Sequence, residues 1–264
     1  MSRFTVNKLM FNNGTRESYQ MSFKQIFQLI TTVIVIGCLA GVAMGEDKIS
    51  VSTSVDLYNR YVWRGLDIAN TPSMQPSLSA GYDGFELGVW GAYTLSNQSS
   101  VSDEIDFWLS YSREFGDGNA LTILATDYYF PNAGPKFFNF NNYDDPNPGA
   151  HTVELGLSFS SPILKSLTLS AYMNVYNDEG NNTYFQADYP FKVGETEMGL
   201  FCGAAGGSSD NPGYYGTASL NVINLGISAR RDIKMSESFS LPLTISLIVN
   251  PNSEISYFLA GMSL

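Results

Sequence analysis

Between Glu46 and Leu264 apolar and polar residues alternate one for one, in run after run, with almost no helical spacing. A strand points successive side chains to opposite faces, so the alternation marks strands with one apolar and one polar face. In the first run Ile49, Val51, Val55, Leu57, Tyr61 and Trp63 share one face, and Ser50, Ser52, Ser54, Asp56, Tyr58, Arg60 and Arg64 the other. Met74, Leu78, Ala80 and Tyr82 follow, and beyond Asp83-Gly84 come Phe85, Leu87, Val89 and Tyr93 against Glu86, Trp90 and Thr94. Asp-Gly between two such runs predicts a two-residue hairpin, because a type I′ turn needs positive φ at both central positions. Further runs reach the C-terminus and bring the count to twelve; the run at 121–130 is ambiguous in phase.

Twelve is even, and each run has about the 9–11 residues that a tilted strand needs to cross a bilayer. The connections alternate too. Those near 83–84, 116–119, 161–165, 192–195 and 231–237 are mostly short, and those at 65–73, 96–103, 131–150, 177–182, 206–216 and 250–254 are longer or more polar. The pattern predicts an all-β fold over 46–264: a transmembrane, antiparallel, up-and-down β-barrel of about 12 strands. A soluble secreted β-sandwich also alternates and is the rival reading. Aromatic positions favour the barrel. On the apolar face Tyr82, Phe85, Phe159, Phe191 and Phe239 lie near short turns, and Trp63, Tyr93, Phe185 and Phe258 lie toward long loops, as two interfacial girdles would. The other face is rich in Ser, Thr, Asn, Tyr and Gly, and the last run ends in a strand that closure against the first would pair.

Composition sharpens this. Charged residues are only 15% and aromatics 14% of the 264 residues. Residues 46–264 hold 10 Lys and Arg against 24 Asp and Glu, a net charge of −14. So acidic a body argues against a nucleic-acid partner. Residues 1–45 read as a signal peptide. Lys24 precedes an uncharged stretch at 25–45, and Ala43-Met44-Gly45 precedes the acidic Glu46-Asp47, with Met21 a possible true start. An uncleaved anchor helix and a lipoprotein signal at Val35-Ile36-Gly37-Cys38 are the rivals. Removal of the leader leaves Cys202 as the one thiol, so no internal disulfide is expected.

Charges on the polar face must line the lumen, since Arg or Lys facing lipid at the midplane costs ~2–4 kcal/mol. The acids are Asp56, Glu86, Glu104, Asp106, Glu114, Glu154, Asp188 and Glu197; the bases are Arg60, Arg64, Lys192 and Arg230. Arg60 and Arg64 are expected to pair with Glu104 and Asp106 near the long-loop end. Glu86 and Glu114 are expected side by side near the short turns. His151 points outward by phase with Val153 and Leu155. With no G-x-S-x-G motif in the chain, its expected role is interfacial rather than catalytic, and no enzyme activity, cofactor or metal site is expected. Asp144-Asp145 and Asp178-Glu179 match no calcium loop and read as solvated loop polarity facing lipopolysaccharide. Phe137-Phe138-Asn139-Phe140 in the longest loop leaves two placements open, inside the lumen or on the rim.

Leu57-Tyr58-Asn59-Arg60-Tyr61-Val62-Trp63-Arg64-Gly65, Gln75-Pro76-Ser77-Leu78, Gly84 to Gly91, Asp103-Glu104-Ile105-Asp106 and Val153 to Leu157 together resemble the TorF-like porins, most densely from 56 to 160. The resemblance implies a Gram-negative outer-membrane barrel and a channel, and supplies neither a solute nor a catalytic residue. The chain departs from the usual barrel ending, an aromatic read by the barrel assembly machinery, because it ends in Leu264, with Phe258 the nearest candidate. The resulting expectation is passive transport of small polar solutes or ions with weak cation selectivity. Its alternative is a structural or adhesive barrel with a closed lumen.

Overall fold

The computed structural model describes residues 49–96, 103–164, 167–206 and 213–264. The expected leader and Cys38 lie outside the described residues. Fourteen strands are described: β1 (Ser50–Tyr58), β2 (Tyr61–Trp63), β3 (Leu66–Ala69), β4 (Ser73–Tyr82), β5 (Phe85–Thr94), β6 (Glu104–Phe115), β7 (Asn119–Tyr129), β8 (His151–Ser161), β9 (Leu167–Tyr176), β10 (Thr183–Val193), β11 (Thr196–Gly206), β12 (Asn221–Lys234), β13 (Ser240–Asn250) and β14 (Ile255–Ser263). Twelve of them, β1 and β4–β14, form a closed antiparallel barrel in which each strand pairs with its neighbours along the chain. The other two, β2 and β3, pair only with each other.

The register places each face where the alternation predicts. Leu57 pairs with Met74, Leu78 with Val89, Leu87 with Leu109 and Leu247 with Phe258, all on the outer face. Leu87 is 61% exposed on that face, whereas the inward Ala92 on the same strand is fully buried. The ambiguous run at 121–130 is β7, with Tyr128 inward opposite Asp106 and Asp127 outward opposite Val153. Asp83 (φ 45°) and Gly84 (φ 81°) form the turn that joins β4 to β5. A side chain at Gly84 would sit 2.5 Å from the Ser112 carbonyl oxygen, so both backbone and space call for glycine there.

Closure is short. β1 pairs with β4 over its whole length but with β14 only at Asp56–Ser263, Leu57–Met262 and Tyr58–Gly261. The Asn59 side chain extends the seam as an extra rung. Its Nδ2 donates to the Phe258 carbonyl at 3.2 Å, and its Oδ1 accepts from the Ala260 N–H at 2.9 Å.

The first run departs from the alternation. It leaves the wall at Tyr58, and β2 and β3 turn into the lumen as a hairpin. Tyr61 and Trp63 therefore do not lie on the outer face. Trp63 is not part of the outer girdle expected from its phase, but packs inside against the cluster of Tyr184, Ala205, Tyr215 and Ile223, stacked on Tyr215. The reason lies in its neighbours. Arg60 and Arg64 flank Tyr61-Val62-Trp63, and turning inward places both guanidinium groups among polar partners. The tip, Arg64 (φ 48°) and Gly65 (φ 78°), has the positive φ values of a two-residue I′ turn. A non-glycine residue held at such φ costs about 1–2 kcal/mol, so the interactions of Arg64 must offset it. The interior is packed as separate aromatic clusters bridged by this hairpin. Tyr61 and Ala69 meet Ala92, Leu66 meets Tyr184, Ala205 and Ile223, and Val62 meets Ile248, Tyr257 and Leu259.

Candidate functional site

Of the expected lumen charges, Asp56, Glu86, Glu104, Asp106, Glu114, Glu154, Asp188, Lys192, Glu197 and Arg230 occupy inward positions of the wall, and Arg60 and Arg64 enter the lumen on the hairpin. Their pairing differs from expectation. Arg64 reaches across the lumen to β8 and forms a two-pronged bond with Glu154, Nη1 to Oε2 at 2.6 Å and Nη2 to Oε1 at 2.8 Å. Nη1 also donates to the Tyr215 hydroxyl at 2.7 Å, and Tyr128 donates to Glu154 Oε1 at 2.9 Å. The guanidinium lies over Trp63, Tyr172 and Tyr184 at 4.3, 4.3 and 4.5 Å from the ring centroids. Three aromatic faces and a bidentate carboxylate make a complete cage for one cation. Burial alone would lower the Arg64 pKa; the Glu154 bond outweighs it and raises the group further above its ordinary range.

The hairpin tip is anchored as closely as its arginine. A Cβ at Gly65 would lie 1.9 Å from the Ile223 carbonyl oxygen, and Asn250 Nδ2 donates to the Gly65 carbonyl at 3.0 Å. Arg60 stays near the hairpin base, within 3.6 Å of Asp67, bonded to Asn70 and over the Tyr257 ring. Glu104 pairs with neither arginine; it accepts from the Tyr61 hydroxyl at 2.7 Å. Burial raises the Tyr61, Tyr214 and Tyr215 phenols above their usual range, so all three stay neutral donors. Tyr214 and Tyr215 come from the β11–β12 connection, which therefore contributes to the lumen alongside the hairpin. Sequence reasoning missed them, since connecting segments carry no alternation to phase.

The short-turn half is arranged more loosely. Glu86 accepts from the Trp108 indole at 3.0 Å, and Lys192 pairs with Glu197 at 3.1 Å in an exposed bridge. Arg230 sits opposite Glu197, and Asp188 accepts from Gln186 at 2.8 Å. Glu86 and Glu114 are not neighbours. Glu86 is opposite Ser110, four residues along β6 from Glu114, which instead faces Ala120. Among the described residues no ion pair involves either of them.

Of the girdle residues other than Trp63, Tyr82, Phe85, Tyr93, Phe159, Phe185, Phe191 and Phe258 take outward wall positions, and Phe239 lies in the β12–β13 turn. His151 also faces outward yet is only 1% exposed, because the 131–150 loop covers it. Its Nδ1 lies 2.9 Å from the Asp127 carboxylate and its Nε2 2.5 Å from the Phe137 carbonyl. Its ring is stacked between Tyr129 and Phe140. Phe137 also packs on Phe107, so the aromatic run of this loop lies on the outer rim and not in the lumen. Asn142 and Asp145 bond within the same loop, 2.7 Å from backbone N to carboxylate, and no group of potential metal ligands occurs among the described residues.

No curated protein matches the chain. Among solved structures, an outer membrane channel from Pseudomonas putida F1 aligns over 84% of this chain and 95% of that chain, with 10% identity and a TM-score of 0.42. A family model described as a bacterial protein of unknown function, Gcw_chp, matches residues 42–237. That span is well over half of the sequence and covers the lumen hairpin, the Arg64–Glu154 bridge and most of the wall, and the chain belongs to this family of bacterial proteins.

Proposed function

We propose that the protein is a bacterial outer-membrane channel for small polar solutes or ions, with the short turns toward the periplasm and a lumen narrowed at the long-loop end by the β2–β3 hairpin. One observation carries the reading: a closed barrel with an apolar outer wall and every wall charge of the expected set turned inward. Lipid is the solvent that rewards this inversion, and closure satisfies the backbone within it. The surroundings implied are outer-membrane lipid and lipopolysaccharide, and insertion would proceed through the barrel assembly machinery after export. Heat-modifiable gel migration of the unboiled protein in detergent tests the barrel. Identical migration boiled and unboiled, with solubility free of detergent, would sink it.

Glu86 and Glu114 face the short-turn half of the lumen without an ion-pair partner, and negative side chains along a low-dielectric wall favour cations. We therefore expect weak cation selectivity that fades at high salt, where the screening length falls to ~3 Å at 1 M. Because the two carboxylates are apart, their effects should add in the Glu86→Gln/Glu114→Gln protein. Reversal potentials in a KCl gradient measure this, and anion preference in the unmodified protein would refute it. The anchored hairpin favours a second reading, a structural barrel with a closed lumen. Single-channel steps that are absent from the native protein and appear only after removal of the hairpin would select it.

A further inference from the structure

We propose that the cavity between the hairpin and the β6–β9 wall binds a small organic ammonium ion, a cation whose nitrogen carries methyl or methylene groups. The inference rests on the channel reading for the route of entry and adds the class of solute that the entrance selects. The cavity lies at the long-loop end and has a volume of about 130 Å³. Its aromatic walls are Trp63, Tyr128, Phe130 and Tyr214, and its carboxylates are Glu104 and Asp178. No lysine or arginine lines it. Tyr128 and Tyr214 both stand edge-on to Trp63, at 5.8 Å and 75° and at 5.6 Å and 90°, so the three rings form a corner and not a stack.

Two further features mark the corner as a place for positive charge. Glu104 is 4% exposed, accepts from the Tyr61 hydroxyl, and among the described residues forms no ion pair with a lysine or arginine. Asp106 sits opposite Tyr128, and its Oδ1 is buried without a hydrogen-bond partner. A buried carboxylate without a base is costly to ionise, and a bound cation would offset that cost. Aromatic faces add attraction for a cation that is poorly hydrated and presents carbon to the rings. The same interior already holds one organic cation in this way: the Arg64 guanidinium in its cage of three rings, neutralised by Glu154. The second cage differs in being open at its rim and in supplying its own carboxylate but no cation.

The test uses the full chain in detergent micelles, titrated with choline chloride at constant ionic strength and followed by calorimetry and tryptophan fluorescence. Choline should bind saturably. Its uncharged carbon isostere, with carbon in place of the quaternary nitrogen, should bind at least about tenfold more weakly, as the loss of about 1.4 kcal/mol of charge-dependent attraction requires. Glu104→Gln and Trp63→Leu should each weaken choline by about tenfold. Asp178→Asn, at the rim, should weaken it less and guards against misfolding of the buried variants, with heat-modifiable migration reporting the barrel in each. Equal binding of choline and its isostere, or no saturable choline binding by the folded barrel, overturns the proposal. A barrel that binds choline but passes no current defeats the channel reading and leaves the site. One that conducts, yet neither binds choline nor is slowed by it, defeats the site and leaves the channel.

Discussion

The β2–β3 hairpin and the 131–150 loop leave the same end of the barrel, and both carry clustered aromatic rings. The hairpin turns into the lumen, whereas the loop lies against the outer wall. Their charged and hydrogen-bonding partners account for the difference. The hairpin brings Arg60 and Arg64, whose acceptors are Asp67 within the hairpin and Glu154 on the far wall. The loop brings Phe137 and Phe140, which close over an outward His151 already held by Asp127. Its polar residues satisfy themselves locally, as where Asn139 Nδ2 donates to the Pro148 carbonyl and Asn141 Nδ2 to the Asn147 carbonyl, at 3.0 and 2.9 Å. An aromatic segment goes where its accompanying charges can be paired, and the rings follow.

The contrast is broken most forcefully at Arg64. Arg64→Ala leaves Glu154 buried without its cation, a loss of about 3–5 kcal/mol in comparable pairs, and frees the hairpin tip. The variant should show a clearly larger single-channel conductance, and Trp63 emission should shift to the red in a Trp90→Phe/Trp108→Phe background. Unchanged conductance with a red-shifted Trp63 would mean that the hairpin is not the constriction.

Gly65→Ala is expected to act in the same direction but less strongly, because Arg64 and Glu154 both remain. The added methyl would overlap the Ile223 carbonyl and is strained at φ 78°, so the tip must withdraw. The cost should be about 1–3 kcal/mol, read as a lowered urea midpoint and a broadened distribution of conductance levels. A native midpoint and a single native level would show that β12 yields instead of the hairpin.

The smallest effect belongs to the outer loop. Phe140→Ala removes one face of the His151 stack and should loosen the loop by about 0.5–1.5 kcal/mol. Trypsin cleavage after Lys136 should accelerate while conductance and selectivity stay native. A change in conductance would mean that the loop also shapes the lumen, contrary to its place on the outside.

The wall could be read from residue order because it depends on a local property. Alternation with period two fixes which side chains share a face, and Asp83-Gly84 fixes a turn through its backbone requirement, so neither depends on distant residues. The inward set from Asp56 to Arg230 followed from that rule together with the cost of charge in lipid. Only the tertiary structure decided what the rule could not reach. Trp63-Arg64-Gly65-Leu66 folds as a two-residue turn, but its alternation is compatible with a longer first strand. The choice was made by Glu154, ninety residues away. The partners of Arg64, the inward turn of Tyr214 and Tyr215, and the cover over His151 all join segments remote along the chain. Pairing across a lumen is a property of closure, and closure exists only when all twelve strands are in place.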